Sequence, residues 1–342
     1  MAFQIIWFIL WGVLWAVYFM LDGFDFGAGM LYNFISKDET EKRIITRTIG
    51  PVWNGNEVWL ITAGGATFAA FPTTYALMFS YLYSALLLVL FSLIIRGVSL
   101  EFREKSASPS WKKGWDLGIC MGSFLPALLF GVAFGNIFRG LPMDADGYHG
   151  SLISLLNPYG LLTGVLFVLL FLVHGAIWLA VKTSDELAEK AGVLARKLWV
   201  VLLVVAVSFL AYTYFATHLY ANYFGNLVLL IVPVIAVLSL LAIRLFAGKG
   251  QYLASFFASC LTILMVTFTG VIGLYPNLIP SSMDPNHSLT IFNSSSSVYT
   301  LKIMTVVALL FVPIVIAYQI WTYRIFRQKT TSLDIAAEKE SY

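Results

Sequence analysis

Runs of about twenty apolar residues, the length that crosses a hydrocarbon layer roughly 30 Å thick as a helix, recur along this chain and leave it few ways to fold. Nine such stretches can be read in the 342 residues, near 4–34, 51–71, 75–97, 115–139, 158–181, 195–217, 225–246, 252–274 and 298–322. A bilayer offers no water to satisfy backbone groups, so each stretch must be a helix. The expected fold is all-α, a polytopic membrane protein with nine transmembrane helices. The first run is too long for one perpendicular span and should tilt or project from the bilayer. The second is the most polar: Trp53-Asn54-Gly55-Asn56-Glu57-Val58-Trp59 must face protein if it spans, and a hydropathy plot could count eight. Residues 1–21 carry no basic leader and no cleavage pattern, and read as a retained first span. Residues 1–328 then form one integral membrane domain and 329–342 a tail. The longest connection, 275–298, holds Pro276, Pro280, Pro285 and the run Ser294 to Ser297, a loop signature.

Basic residues fix the orientation. Lys37, Lys42, Arg43 and Arg47 follow the first span, and Arg96, Arg103, Lys105, Lys112 and Lys113 follow the third. The same side carries Lys182, Lys190, Arg196 and Lys197, then Arg244 and Lys249, then Arg324, Arg327, Lys329 and Lys339. That is 19 of the 21 basic residues, with Arg139 and Lys302 alone on the other side. The expectation is an outer N-terminus and a cytoplasmic C-terminal tail. The alternation also supports nine spans, because omitting the second would scramble it. Composition agrees: 59% apolar and 11% charged residues exclude a water-soluble globule, a disordered chain and a nucleic-acid binder. Cys120 and Cys260 fall inside apolar runs, which suggests neither a disulfide nor a Cys-rich metal site.

Ionisable side chains within spans are costly, so they mark candidate functional positions. Asp22 and Asp25 are three apart and share a helix face. Two carboxylates that close in a low dielectric oppose each other's ionisation, as proton-relay chemistry requires. Gly23 and Gly27 form a small-residue pair that admits a neighbouring helix. The bland alternative is a charge pair locking two spans. Asn54 and Glu57 repeat the three-residue spacing on the second span, where a hydrogen-bonded packing seam is the competing reading. Arg96, Glu101, Lys105 and Asp116 lie at the cytoplasmic edges of spans three and four, with Glu101 and Lys105 four apart. Alone they read as interfacial anchors; beside the carboxylates of spans one and two they extend a chain of exchangeable groups into the membrane. Among the histidines, His149 and His287 belong to outer loops, and His174 and His218 lie at opposite ends of their spans. No bis-His haem pair results. A single axial His174 is weighed against a packed, hydrogen-bonded histidine, which is the better reading. No metal motif, phosphate loop or dinucleotide fingerprint appears, so no cofactor is expected in this chain.

A wider set of motifs resembles one family. Asp22-Gly-Phe-Asp-Phe-Gly-Ala-Gly29, Trp53-Asn-Gly-Asn-Glu-Val-Trp-Leu-Ile-Thr-Ala-Gly-Gly-Ala66, Trp115-Asp-Leu-Gly118 and Gly122-Ser-Phe-Leu-Pro126 occur in order. Gly131-Val-Ala-Phe-Gly-Asn136, Leu156-Asn-Pro-Tyr-Gly-Leu161 and Pro276 to Ser282 continue the pattern. Over nearly its whole length the chain is similar to subunit II of the cytochrome bd-type quinol oxidases of prokaryotic membranes. The resemblance implies two four-helix bundles plus one peripheral helix, with no haem in this subunit. It implies a partner, subunit I, that carries two b-type haems, a d-type haem, the quinol site and the dioxygen chemistry. It also leaves room for a bound quinone or lipid and for small single-span subunits, and it implies a proton route from the cytoplasm. Asp25 matches the family's inner carboxylate on the first span; Arg96, Glu101 and Lys105 match its charged stretch after the third, and Asp116 its aspartate opening the fourth. Many members have Trp-Asp-Gly-Asn-Gln where this chain has Trp53-Asn54-Gly55-Asn56-Glu57. The carboxylate is displaced by three positions, about 4.5 Å along a helix, so Glu57 is expected to take its role. Several members also have a longer outer loop where this chain keeps only Thr217 to Gly225. The alternative from another class is a proton- or ion-coupled transporter, which would favour inverted repeats. A faint echo between residues 122–142 and the stretch ending at Pro280 joins spans of the same direction instead.

Overall fold

The structure is a computed structural model that describes residues 1–340; the side chains of 337–340, Lys339 among them, and the last two residues of the 329–342 tail lie outside the described residues. The chain is mostly helical. In order it forms α1 (Ala2–Ile35), α2 (Glu39–Ile49), α3 (Trp53–Ala70), α4 (Pro72–Tyr81), α5 (Tyr83–Phe102) and α6 (Pro109–Arg139). There follow β1 (Met143–Asp144), β2 (Gly147–Tyr148), α7 (Pro158–Lys182), α8 (Asp185–Ala216), α9 (Ala221–Gly225), α10 (Ile231–Gly248) and α11 (Tyr252–Leu274). The remaining elements are β3 (Asn277–Ile279), β4 (Leu289–Thr290), α12 (Val298–Ile325) and α13 (Ser332–Glu340). Among the described residues, eight helices are long and apolar enough to cross a membrane: α1, α5, α6, α7, α8, α10, α11 and α12. The second expected span is the helix α3, but it is not one of those eight.

The third expected span, 75–97, is not one helix. Pro72 lacks the amide hydrogen a continuing helix needs, which ends α3 at Ala70 and starts α4. A second break at Leu82, with φ −104° and ψ 19°, separates α4 from α5. The sixth expected span begins ten residues early, at Asp185, because a charged first turn precedes the apolar run in α8. The amphipathic α2 was not anticipated; it buries Ile44, Ile45 and Ile49 together with Glu41 and Thr48, and exposes Glu39 and Arg47.

The centre of the molecule is α1, which packs against α3, α6, α7 and α11. Its contact with α7 is backbone to backbone: a Cβ on Gly27 would lie 1.9 Å from the Phe171 carbonyl oxygen, and one on Gly175 would lie 2.4 Å from the Ala28 nitrogen. Above this crossing, Trp15, Phe19, Phe134 and Phe167 interlock edge to face, with Trp15–Phe134 and Phe19–Phe167 centroids 5.2 and 5.1 Å apart. Such aromatic pairs add about 0.5–1.5 kcal/mol each beyond the area they bury. By contrast α12 buries only Leu301 and lies along the outside of the bundle.

The two stretches that echo each other in sequence meet in space. The Leu141 amide donates to the Pro280 carbonyl at 2.9 Å, and Ser282 returns a bond to the Leu141 carbonyl at 2.9 Å. Strands β1–β2 and β3–β4 form two small antiparallel hairpins there. At the opposite end, the ammonium of Lys182, at the end of α7, donates to the carbonyls of Phe326 and of Gln328, and the Thr330 amide donates back to the Lys182 carbonyl at 2.8 Å. Ile335 of α13 is buried, with α13 packed on α2. The tail is thereby fastened across the end of the bundle.

Candidate functional site

Helix geometry places Asp22 and Asp25 on one face of α1, and both are fully buried. Burying a carboxylate without a partner costs several kcal/mol or more, and Arg96 of α5 supplies the partner. Its guanidinium donates to Asp22 twice, Nη2 to Oδ1 at 2.9 Å and Nη1 to Oδ2 at 3.3 Å, a forked pair. Glu57 of α3 approaches the same guanidinium, with Oε2 3.6 Å from Nη1. The ring of Phe26 lies 4.4 Å from the guanidinium carbon and that of Trp53 6.0 Å away, a cation–π setting. Two carboxyl groups thus attend one permanent cation, and a third, Asp25, lies one turn from Asp22 on the same helix. The surplus of acid over base makes this a place where a proton can be held and released.

Asp25 has a different neighbour. Its Oδ2 accepts from the Asn56 side-chain amide at 2.7 Å, while its Oδ1 is buried without a hydrogen-bond partner. Asn56 is fully buried and joins three helices. Its Nδ2 also reaches the Leu21 carbonyl at 3.2 Å, and its Oδ1 accepts from Tyr323 at 2.8 Å and Gln319 at 3.1 Å, both on α12. Trp59 completes the array by donating to Gln319 Oε1 at 2.8 Å. The sequence pointed to Asn54 in this stretch. The structure leaves Asn54 exposed, two positions away on another face of α3, and puts Asn56 in the network instead.

A second charged cluster sits where α2, α5 and α6 meet. Asp116 accepts from Arg103 Nε at 2.5 Å and from Lys42 at 2.6 Å. Arg103 also pairs with Glu104 and with Glu39, the latter at 3.0 Å, and Lys112 reaches Glu39 at 3.3 Å. Burial works against ionisation of Glu39, but the hydrogen bonds from Arg103 and Lys112 outweigh it and hold the carboxyl below its usual range. Glu101 and Lys105, expected to pair four residues apart, are both exposed. The α-helix ends at Phe102 and continues as a tighter 3-10 turn from Arg103 to Lys105. Its three-residue period turns Arg103 inward and carries Lys105 away from Glu101. Among the described residues, no hydrogen bond or ion pair joins this cluster to the one around Arg96.

His174 is buried with both ring nitrogens engaged. Nδ1 lies 2.6 Å from Ser259 Oγ and Nε2 3.0 Å from the Met20 carbonyl, and Phe256 stacks on the ring at 4.8 Å. A haem iron would have to displace one of these bonds and the stacked ring, so the site does not fit an axial ligand. Among the described residues no group of three or more His, Cys, Asp or Glu is arranged to hold a metal ion.

The cytochrome bd terminal oxidase subunit II family matches residues 3–326. The chain is 38% identical to the probable cytochrome oxidase subunit 2 of Haemophilus influenzae, over 94% of this chain and 93% of that protein. It is 37% identical to the cytochrome bd ubiquinol oxidase subunit 2 of Bacillus subtilis, over 95% and 96% of the two chains. It is also 37% identical to the cytochrome bd-I ubiquinol oxidase subunit 2 of Escherichia coli K12, over 99% and 98%. A chain in the solved structure of the bd oxidase from Geobacillus thermodenitrificans has the same fold, with a TM-score of 0.80 at 19% identity over 95% of this chain and 99% of that one.

Proposed function

The chain belongs to the cytochrome bd terminal oxidase subunit II family, and from that premise we propose that it assembles with a haem-bearing subunit I and delivers cytoplasmic protons to the oxygen chemistry there. Membership replaces the transporter alternative. In this reading the complex oxidises a quinol and reduces dioxygen to water, as the names of its relatives suggest, with b- and d-type haems held by the partner and none by this chain. The protein is a multi-pass component of a prokaryotic cell membrane with its N-terminus outside and its tail in the cytoplasm. Helix α3 acts as the ninth crossing, shielded from lipid by protein on the face that carries Glu57, and the helices form two bundles of four with α12 peripheral. Small single-span subunits and a bound lipid or quinone are compatible with this arrangement.

One observation carries the proposal: Asp22 and Glu57 meet at the single cation Arg96, and Asp25, one turn from Asp22 on α1, is buried beside them against Asn56. A structural lock needs one acid for one base. Here Asp22 takes the fork, Glu57 Oε2 stands 3.6 Å from the guanidinium without a hydrogen bond, and Asp25 Oδ1 is buried with no partner. In the proposed mechanism Asp25 and Glu57 hold the travelling proton, while Asp22 and Arg96 fix the charge around them. Asp116, with Arg103 and Lys42, anchors the cytoplasmic rim. Glu101 and Lys105 stand at its surface, where they collect protons from water. The haems supply the oxygen reduction; the residues of this chain bind, orient and pass protons toward it.

The test is the assembled complex carrying Asp25→Asn or Glu57→Gln. Quinol-driven oxygen consumption should fall at least about tenfold, the equivalent of about 1.4 kcal/mol in the limiting step, with haem content by reduced-minus-oxidised spectra unchanged. Full activity in both variants would assign these groups to helix packing alone.

A further inference from the structure

Helices α7, α8, α10 and α11 surround a cavity of about 110 Å³, none of whose lining residues belongs to the carboxylate cluster. Phe167 and Phe171 of α7, Phe209 of α8 and Val266 of α11 line it, with Phe19 of α1 and Phe134 of α6 from the aromatic interlock. Its walls are almost wholly hydrocarbon and aromatic ring. The few hydroxyls among them already donate elsewhere. Thr163, Thr213, Thr262, Thr267 and Thr269 each donate to the carbonyl four residues back, at 2.7–2.9 Å. Tyr220 and Tyr223 donate to the carbonyls of Leu210 and Thr269, at 2.8 and 2.7 Å. A water molecule here would find no donor, and neither would the carbonyl of a quinone head. An engineered cavity of about 150 Å³ walled by Leu, Ile and Phe stays dry and binds benzene or xenon. Left empty, such a space forfeits the dispersion contacts of its lining; a small apolar guest restores them and breaks no hydrogen bond.

The cavity also has an entrance. Helix α8 packs along α7 and α10 along α11, whereas α8 and α10 touch each other little. At that seam Leu210 of α8 and Val237 of α10 line the cavity and are also exposed on the outer surface, by 38% and 45%. Val207 and Val234 beside them are exposed as well. The seam therefore meets lipid with hydrocarbon, and a guest dissolved in lipid passes it without shedding a hydration shell. We propose that this cavity is a binding pocket for dioxygen, filled from the membrane interior through the seam between α8 and α10. Dioxygen is uncharged, smaller than benzene and more soluble in hydrocarbon than in water, as the lining and the entrance require. Its choice over other apolar gases rests on the oxidase reading above, in which the complex consumes it. Binding is by dispersion alone; no bond forms or breaks and no electron moves.

The test uses crystals of the assembled oxidase, oxidised and free of quinol so that dioxygen is not consumed. Under xenon pressure, anomalous scattering should place an atom in the cavity, and excess dioxygen should lower that peak severalfold. Ala206→Leu, which fills the space from α8, should abolish the peak while haem content stays unchanged. Val266→Phe fills it from α11 and takes its place should Ala206→Leu not assemble. A cavity that xenon does not enter overturns the proposal, as does ordered water or a lipid or isoprenoid chain found there. A xenon peak that dioxygen leaves unchanged overturns it too. Failure of the underlying reading looks different: the complex would then consume no dioxygen with quinol, while xenon would still enter the cavity and dioxygen would still displace it.

Discussion

At the scale of single residues, Arg96 sets the terms. It is fully buried among three acids and two aromatic rings, and its own Nε has no hydrogen-bond partner. Removing one member of a buried ion pair costs about 3–5 kcal/mol because the other is left uncompensated. Arg96→Leu should therefore lower the melting temperature and the yield of the complex sharply, measured by thermal unfolding in detergent. The double variant Arg96→Gln with Asp22→Asn should recover part of the loss, since two amides can hydrogen-bond without a net charge. No recovery would mean that Glu57 and Asp25, rather than Asp22, are the acids Arg96 principally compensates. The acids were legible in sequence because carboxyls in an apolar run are conspicuous. Asn56 was not, because what distinguishes it from Asn54 is a pair of partners more than 260 residues away on α12. Arg103 was passed over for a related reason. Its role depends on a helix tightening into a 3-10 turn at its end, which spacing rules for an α-helix do not anticipate.

At the scale of elements, the contact between α1 and α7 decides whether the cluster forms at all, because α1 carries both aspartates. Gly27 and Gly175 let the two backbones touch, and neither position has room for a methyl group. Gly175→Val should cost about 1–3 kcal/mol or more through overpacking and weaken the α1 register, read as earlier thermal unfolding. Gly64→Ala on α3, where no heavy atom lies within 4 Å of the added carbon, should be close to neutral in the isolated chain. Because Ala favours a helix over Gly, equal destabilisation by the two changes would show that close approach at Gly175 does not set the cost. Sequence patterning found α1, α7, α11 and α12 within three residues at each end, since twenty apolar residues in lipid have one conformation open to them, and it placed the start of α6 at 115, six residues after the observed Pro109. It merged α4 and α5, because Leu82 is as apolar as its neighbours and the break is made by packing rather than by a Gly or Pro at that position.

At the scale of the whole molecule, two outer surfaces differ in chemistry. Helix α12 exposes Val306, Leu309, Leu310, Phe311 and Ile314, a surface suited to lipid tails. Helix α3 exposes the polar or small Asn54, Gly55, Thr62 and Gly65 among the apolar Val58, Ile61 and Phe68. Polar side chains and bare backbone are unfavourable against hydrocarbon, whereas small residues let a second helix approach closely. The face of α3 therefore suits burial against protein, and in an assembled oxidase the haem-bearing subunit is the candidate to cover it. Gly65→Trp places bulk on that face, where nothing lies within 4 Å of a Cβ built at the exposed Gly65. The isolated subunit should keep its helicity and melting temperature, while the yield of complex co-purified with haem should drop severalfold. The same Trp at Leu310 on α12, facing lipid, should leave assembly unchanged. If Gly65→Trp assembled as well as Leu310→Trp, α3 would face lipid or water rather than a partner. The position of Glu57, on the same helix and one-fifth exposed, gives this surface its functional weight: a partner seated there would close the cluster from lipid and stand within reach of its protons.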